Sequence, residues 1–284
     1  GCSIARCGAD GVGLDLASAG LACKDRPVSR RPRPNDPHAM SAVSDISATP
    51  GDPPALVDGR SRGSQSDRWT RPLLGLAAGL LVAGAVVAPF DLTVAAWFRT
   101  SRLPGDLGKA VMLSEVFAHG VGAGVILLTV WLLDERLHGG QGRRRLAGVV
   151  LGAFGGGLVT DLIKVMVDRV RPRALDFSAV QTALGTFATP EGIGGADLHS
   201  FPSGHSAVAA GLGCTLAMLH PQARWLFAGV GVTACFQRIA ASAHYPSDVA
   251  CGAALGVAVA AACAGMVSPR AAGPQAIAPR SESA

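Results

Sequence analysis

Six strongly apolar stretches of this chain run without an Asp, Glu, Lys or Arg, and few folds can accommodate that pattern. The first is 72–90, between Arg71 and Asp91, and the second is 116–133, between Glu115 and Asp134. The others are 146–160, 206–223, 225–237 and 249–269. A bilayer-spanning helix needs roughly 20 mainly apolar residues, with a range of about 17–25. The first, second, fourth and sixth stretches meet that length. The third and fifth meet it when their ends extend into neighbouring polar residues. The pattern predicts an all-α fold, a polytopic membrane helical bundle with six transmembrane helices.

Composition agrees: only 16% of the residues are charged and 49% are hydrophobic, whereas a soluble domain carries about 25% charged residues. The net charge of +5 sits in flanks and short motifs rather than along one soluble face, which argues against a nucleic-acid partner. Cys214, Cys235, Cys251 and Cys263 lie inside apolar runs and read as small packing residues. No CxxC pair or Cys/His spacing is present, so no structural metal is expected.

Residues 1–70 read as a disordered cytoplasmic leader, rich in Ser, Gly, Asp and Arg-Pro pairs and without apolar periodicity. Residues 11–23 make a poor signal peptide because Asp15 interrupts them. The first Met is Met40, and two readings stand: a true start at Met40, or a real and dispensable tail before it. Residues 71–268 form the expected six-helix membrane domain, and 269–284 a short cytoplasmic tail.

Loop charges set the expected orientation. With the basic cluster at 164–173 and Arg238 set aside, because their charge has another explanation, one side collects Arg60, Arg62, Arg68, Arg71, Arg136, Arg143 to Arg145, Arg224, Arg270 and Arg280; the other has Arg99, Arg102 and Lys109. The excess of basic residues places both termini in the cytoplasm. Trp69, Trp131 and Trp225 then fall at the inner boundary, as an aromatic belt would. The connection 91–109, with Trp97, Phe98 and Arg99, is expected to form an interfacial amphipathic helix. Gly148, Gly152 and Gly156, and likewise Gly252 and Gly256, are spaced four apart as helix-packing stripes.

Three short motifs then fall at helix ends on the extracytoplasmic side. Lys164 and Arg171 lie two helical turns apart, so a continuing helix would place Asp161, Lys164, Asp168 and Arg171 in one ladder. Ionisable groups at membrane depth usually mark function; a snorkelling basic flank is the alternative. Pro202-Ser203-Gly204-His205 opens a helix whose free N–H groups and dipole favour an anion, with His205 placed to donate a proton. Arg238, His244 and Asp248 follow, and a carboxylate beside an imidazole fixes its tautomer. Glu115 and His119 either face this site or make an interhelical polar contact. Asp197 and His199 either line its entrance or are solvated loop residues. The long loop 173–201 is expected to shape a headgroup pocket.

Together these residues resemble the type 2 phosphatidic acid phosphatase and vanadium haloperoxidase superfamily, in its membrane-bound branch. Its signature is Lys-x6-Arg-Pro, Pro-Ser-Gly-His and Ser-Arg-x5-His-x3-Asp. The chain matches at Lys164, Arg171, Pro172, Pro202, Ser203, Gly204, His205, Arg238, His244 and Asp248, and departs at Gln237, where the pattern has Ser. The resemblance implies a metal-independent, cofactor-free phosphatase acting on a phosphorylated lipid. It implies that His244 attacks phosphorus to form a phosphohistidine, oriented by Asp248, while His205 protonates the leaving group. Lys164, Arg171, Arg238, Ser203 and Gly204 would hold the nonbridging oxygens. Phosphatidate, phosphatidylglycerophosphate and polyprenyl diphosphates are the expected substrates. The alternatives are a vanadate-dependent haloperoxidase and a noncatalytic membrane protein that binds lipid phosphate.

Overall fold

The computed structural model describes residues 67–101, 103–187 and 194–268. Of the expected leader 1–70, residues 1–66 lie outside the described residues, as do the tail after 268, Arg102 and part of loop 173–201; residues 67–70 are helical and open the first helix. Where described, the chain is all-α. The helices are α1 (Asp67–Val87), α2 (Asp91–Thr100), α3 (Gly105–Leu113), α4 (Glu115–Ala118), α5 (Gly120–Leu133), α6 (Gly139–Lys164), α7 (Gly204–Leu219), α8 (Arg224–Ala240) and α9 (Pro246–Val267). Short 3-10 turns join several of them.

Three helical runs are long and apolar enough to cross a membrane: Arg68–Thr100, Gly139–Lys164 and Pro246–Val267. The segments Gly105–Ala118 and Gly120–Leu133 pass that test together but are bent by 72° at His119. By length and composition the described residues therefore hold three to four spans, against six expected. The shortfall lies in the fourth and fifth stretches. α7 stops at Leu219, before His220 and Pro221, after 16 residues. α8 has 17 residues, about 26 Å at roughly 1.5 Å per residue, slightly less than the roughly 30 Å hydrocarbon core.

The connection 91–109, expected as one interfacial helix, is divided: α2 continues from α1 through a 3-10 turn and ends at Thr100, and α3 begins at Gly105. One face is docked, because Asp91 and Ala95 are buried while Trp97 is exposed. Arg99 fastens its end by donating to the carbonyl oxygen of Leu175 at 2.7 Å.

Small residues draw α6, α7 and α9 together. A methyl group on Gly156 would lie 2.7 Å from the Cα of Gly256, and one on Gly252 would strike the backbone of Ser203. Both stripes seen in the sequence thus lie at helix crossings, where close approach replaces the hydrophobic drive that lipid cannot supply. Leu212, Leu216, Val149, Ala153, Val257 and Ala260 fill the buried interior. Leu81, Val86, Leu133, Leu158, Leu162 and Val232 are exposed on the outside, which suits contact with hydrocarbon.

Candidate active site

The C-terminal ends of α6 and α8 and the N-terminal ends of α7 and α9 carry the motif residues: Lys164, Arg238, Gly204 with His205, and Asp248. α6 ends at Lys164, so the expected ladder to Arg171 does not form. Residues 169–171 instead run alongside 197–200. Arg169 N–H donates to the Leu198 carbonyl at 2.6 Å, Ser200 N–H to that of Arg169 at 3.0 Å, and Arg171 N–H to that of Asp197 at 2.8 Å. Pro172 is the local reason, because it disfavours helical geometry at the residue before it, and Arg171 is extended at φ −68°, ψ 148°. Asp168 is exposed. The Arg171 guanidinium donates to the carbonyls of Ala196 at 2.8 Å and His199 at 3.2 Å. Burial, then the neighbouring charges of Arg173 and Arg238, pull its pKa below the ordinary arginine value.

Ser203 is the N-cap of α7, its Oγ 2.9 Å from the Ser206 hydroxyl, and it is fully buried. Its N–H donates to the Asp248 carbonyl at 3.1 Å, so Ser203 ties α7 to α9 and its hydroxyl serves as a cap. Gly204 admits Lys164 to the start of α7, since a Cβ there would lie 3.2 Å from Lys164 Nζ. Lys164 Nζ donates to the largely exposed Asp161 at 3.1 Å.

His205 lies one residue further along α7. Its Nε2 is 3.9 Å from Glu115 Oε1, and its ring centroid is 5.8 Å from that of His119. Glu115 Oε1 accepts from Arg238 at 2.6 Å, and Oε2 accepts from Gln237 Nε2 at 3.1 Å. Gln237, the departure from the family pattern, thus acts as a second clamp on Glu115. Arg238 is only 7% exposed, and its Nε is buried with no acceptor. A buried, unpaired guanidinium N–H is costly unless something arrives to accept from it. The bend at His119 brings Glu115 here, and His119 itself caps α5 by accepting from Val121 N–H at 3.4 Å.

His244 N–H donates to the Arg238 carbonyl at 3.2 Å, which places the second imidazole beside the same cluster. The ring is buried, and its Nδ1 lies 2.7 Å from the Ser200 carbonyl oxygen. A carbonyl only accepts, so Nδ1 carries the proton and Nε2 keeps its lone pair. Asp248 Oδ2 is 3.8 Å from Nδ1, beyond a hydrogen bond. That oxygen accepts instead from Ser200 Oγ at 2.6 Å and from Tyr245 N–H at 3.0 Å. Asp248 therefore positions His244 through Ser200.

Arg169 is the residue the sequence reading passed over. It is buried, with NH1 on Asp248 Oδ1 and on Ser247 Oγ at 2.9 Å. Its NH2 donates to Asp91 Oδ2 at 2.7 Å, and its Nε to Thr186 Oγ1 at 2.9 Å. Its guanidinium carbon sits 4.2 Å from the Tyr245 ring centroid and 4.7 Å from that of Phe187. Asp91 also accepts from Ser247 N–H at 3.0 Å. The available signal was slight: an arginine two residues before Arg171, and an acid that ends the first charge-free run.

Asp197 pairs with Arg173 at 2.7 Å, while His199 Nδ1 is buried without a partner. Among the described residues no three His, Cys, Asp or Glu side chains are grouped as metal ligands would be. The arrangement offers three cations, Lys164, Arg171 and Arg238, beside one imidazole with a fixed tautomer and a second that is more open.

Residues 145–271 match the model of the PAP2 superfamily. A lipid A 1-phosphatase of Rhizobium etli is 35% identical over 101 residues, covering 35% of this chain and 40% of that protein. Its counterpart in Rhizobium johnstonii is 34% identical, covering 35% and 38%. The bacitracin transport permease protein BcrC of Bacillus licheniformis is 37% identical over 59 residues, covering 21% and 29%. The match thus spans about two fifths of the lipid A 1-phosphatases. No solved structure matches the chain. The region from 145 to 271, which is similar to the PAP2 superfamily model, supplies every motif residue of the cluster.

Proposed function

We propose that this chain is a membrane lipid phosphatase that hydrolyses a phosphomonoester or diphosphate of a lipid through a phosphohistidine. The observation that carries the reading is the His244 ring, proton fixed on Nδ1 by the Ser200 carbonyl and Nε2 lone pair free. The orphaned Arg238 Nε supports it, because a phosphate oxygen would supply the missing acceptor.

In the first step Nε2 of His244 forms a bond to phosphorus while the bond from phosphorus to the leaving oxygen breaks. His205, protonated, gives its proton to that oxygen. Lys164, Arg171 and Arg238 neutralise the nonbridging oxygens, where phosphoryl transfer needs most help. The backbone at Gly204, at the start of α7, faces the same oxygens. In the second step His205 takes a proton from water. The water oxygen bonds to phosphorus, the P–N bond breaks, and inorganic phosphate leaves with His244 restored. The cationic surroundings favour a mechanism without a divalent metal.

Residues 71–268 form the phosphatase domain in this reading. α7 and α8 cross the bilayer despite their length, with local thinning or tilt absorbing the mismatch, and the site opens on the extracytoplasmic face with cytoplasmic termini. Substrate candidates are phosphatidate, phosphatidylglycerophosphate, polyprenyl diphosphate and, by analogy with the rhizobial relatives, a glycolipid 1-phosphate. Purified protein assayed against that panel with chelator present is the test. Phosphate release that persists under chelation and falls to background in His244→Asn supports the reading; turnover by His244→Asn overturns it.

A further inference from the structure

The end of the molecule remote from the catalytic cluster holds a second concentration of arginine. Arg68 of α1, Arg136 of the turn after α5, Arg145 of α6 and Arg224 of α8 line one cavity of about 460 Å³ with Trp69. Four separate elements supply those charges. The same helices that carry catalytic residues at one end supply this cavity at the other: α6 runs from Arg145 to Lys164, and α8 from Arg224 to Arg238. Arg145 and Lys164 are therefore roughly 28 Å apart along α6, at about 1.5 Å per residue. The cavity is a different place from the active site.

Its charges are under-compensated. Arg136 is matched by Asp134, at 2.8 Å and 2.7 Å. Arg68, Arg145 and Arg224 make no ion pair among the described side chains, and Arg145 Nε is buried without an acceptor. Arg224 lies 5.3 Å from the Trp225 ring centroid, which leaves its donors free.

A second cavity, of about 400 Å³, begins at the same Trp69 and Arg224. It runs between α1, α7, α8 and α9, past Leu73, Leu80 and Ala210, towards Val249 at the far end of α9. Its lining is almost wholly apolar. Both cavities fall in the volume range of small-molecule sites, roughly 300–1,000 Å³. An arginine-lined chamber opening into an apolar groove, on a chain built to contact hydrocarbon, matches one kind of molecule. The ligand has a phosphate at one end and a long chain attached to it.

We propose that this is a binding site for an anionic phospholipid, with the headgroup phosphate among Arg68, Arg145 and Arg224 and an acyl chain in the groove. Basic pockets between membrane helices take such headgroups by direct charge pairing. The proposal does not depend on the phosphatase reading.

Native mass spectrometry of the full chain, released from detergent, tests it with phosphatidylglycerol and phosphatidylcholine as probes. Phosphatidylglycerol is expected to be retained at least about tenfold over phosphatidylcholine, one charge pair's worth of affinity. The double variant Arg145→Gln/Arg224→Gln should abolish that preference, while hydrolysis of a water-soluble phosphomonoester stays unchanged. Ala210→Trp, which fills the groove, should lower retention with every arginine intact. His244→Asn should retain the lipid as wild type does. Equal retention of the two lipids, or an unchanged preference in the double arginine variant, would overturn the site. Full displacement of phosphatidylglycerol by inorganic phosphate alone, or loss of binding in His244→Asn, would overturn it as well.

Discussion

The Nδ1 of His244 donates to the carbonyl oxygen of Ser200 at 2.7 Å, and the carboxylate of Asp248 stands 3.8 Å from the same nitrogen. The tautomer is thus held by backbone, and Asp248 acts on the ring through Ser200 and by its charge. Asp248→Asn should lower kcat by about a hundredfold or more through lost stabilisation of the charged ring. The Nδ1-protonated tautomer should survive, as read by nitrogen NMR of the labelled imidazole. A switch of tautomer in that variant would show that the carboxylate, not the carbonyl, sets it.

Arg169 is sandwiched between two rings and bonded to two buried carboxylates, Asp91 and Asp248. Removing its charge leaves both acids unpaired inside the protein. Arg169→Met should therefore destabilise the fold by about 3–5 kcal/mol, measured by unfolding in detergent. Adding Asp91→Asn should recover part of that loss, because one orphaned charge disappears with it. Strict additivity of the two changes would deny the coupling. As a positioning residue, Arg169 replaced by Lys should lower kcat more than it raises KM.

Glu115 occupies Arg238 with its carboxylate at 2.6 Å, where an incoming phosphate would need the same donor. Glu115→Gln removes one negative charge from the path of a dianion. The inhibition constant of inorganic phosphate should fall by about tenfold, the worth of roughly 1.4 kcal/mol. Gln237→Ser should move it the same way by less, since Gln237 Nε2 holds the other carboxylate oxygen at 3.1 Å. Weaker inhibition in Glu115→Gln would mean that the acid helps to bind the anion.

The all-α fold and the cluster of motif residues were legible because both depend on local pattern. Charge-free runs mark apolar helices, and Lys164, His205, Arg238 and Asp248 each sit at the end of one. The number of spans was less legible, since α7 and α8 stop short where His220-Pro221 and the turn after Ala240 intervene. The geometry from 165 to 171 depends on hydrogen bonds to residues 197–200, and no helical periodicity encodes that partner. Arg169 and Asp91 were hidden for the same reason. They are 78 residues apart, and only the folded backbone reveals that they meet.

Burial, partly opposed by Asp248 and reinforced by Arg171 and Arg238, holds the pKa of His244 below its ordinary 6.5. The imidazolium is the disfavoured form, so the proposed nucleophile stays neutral at a pH where an exposed histidine would be half protonated. The acid limb of kcat/KM assigned to His244 should lie below about pH 6.5. Stability carries the matching sign. Between the lower native pKa and the unfolded value near 6.5, the unfolded chain binds the extra proton, so stability rises with pH across that window and falls on acidification. Unfolding temperature should drop as pH is taken from about 7.5 to 5, and the drop should be smaller in His244→Asn, which has no proton to gain. An equal drop in both proteins would assign the acid sensitivity to other groups.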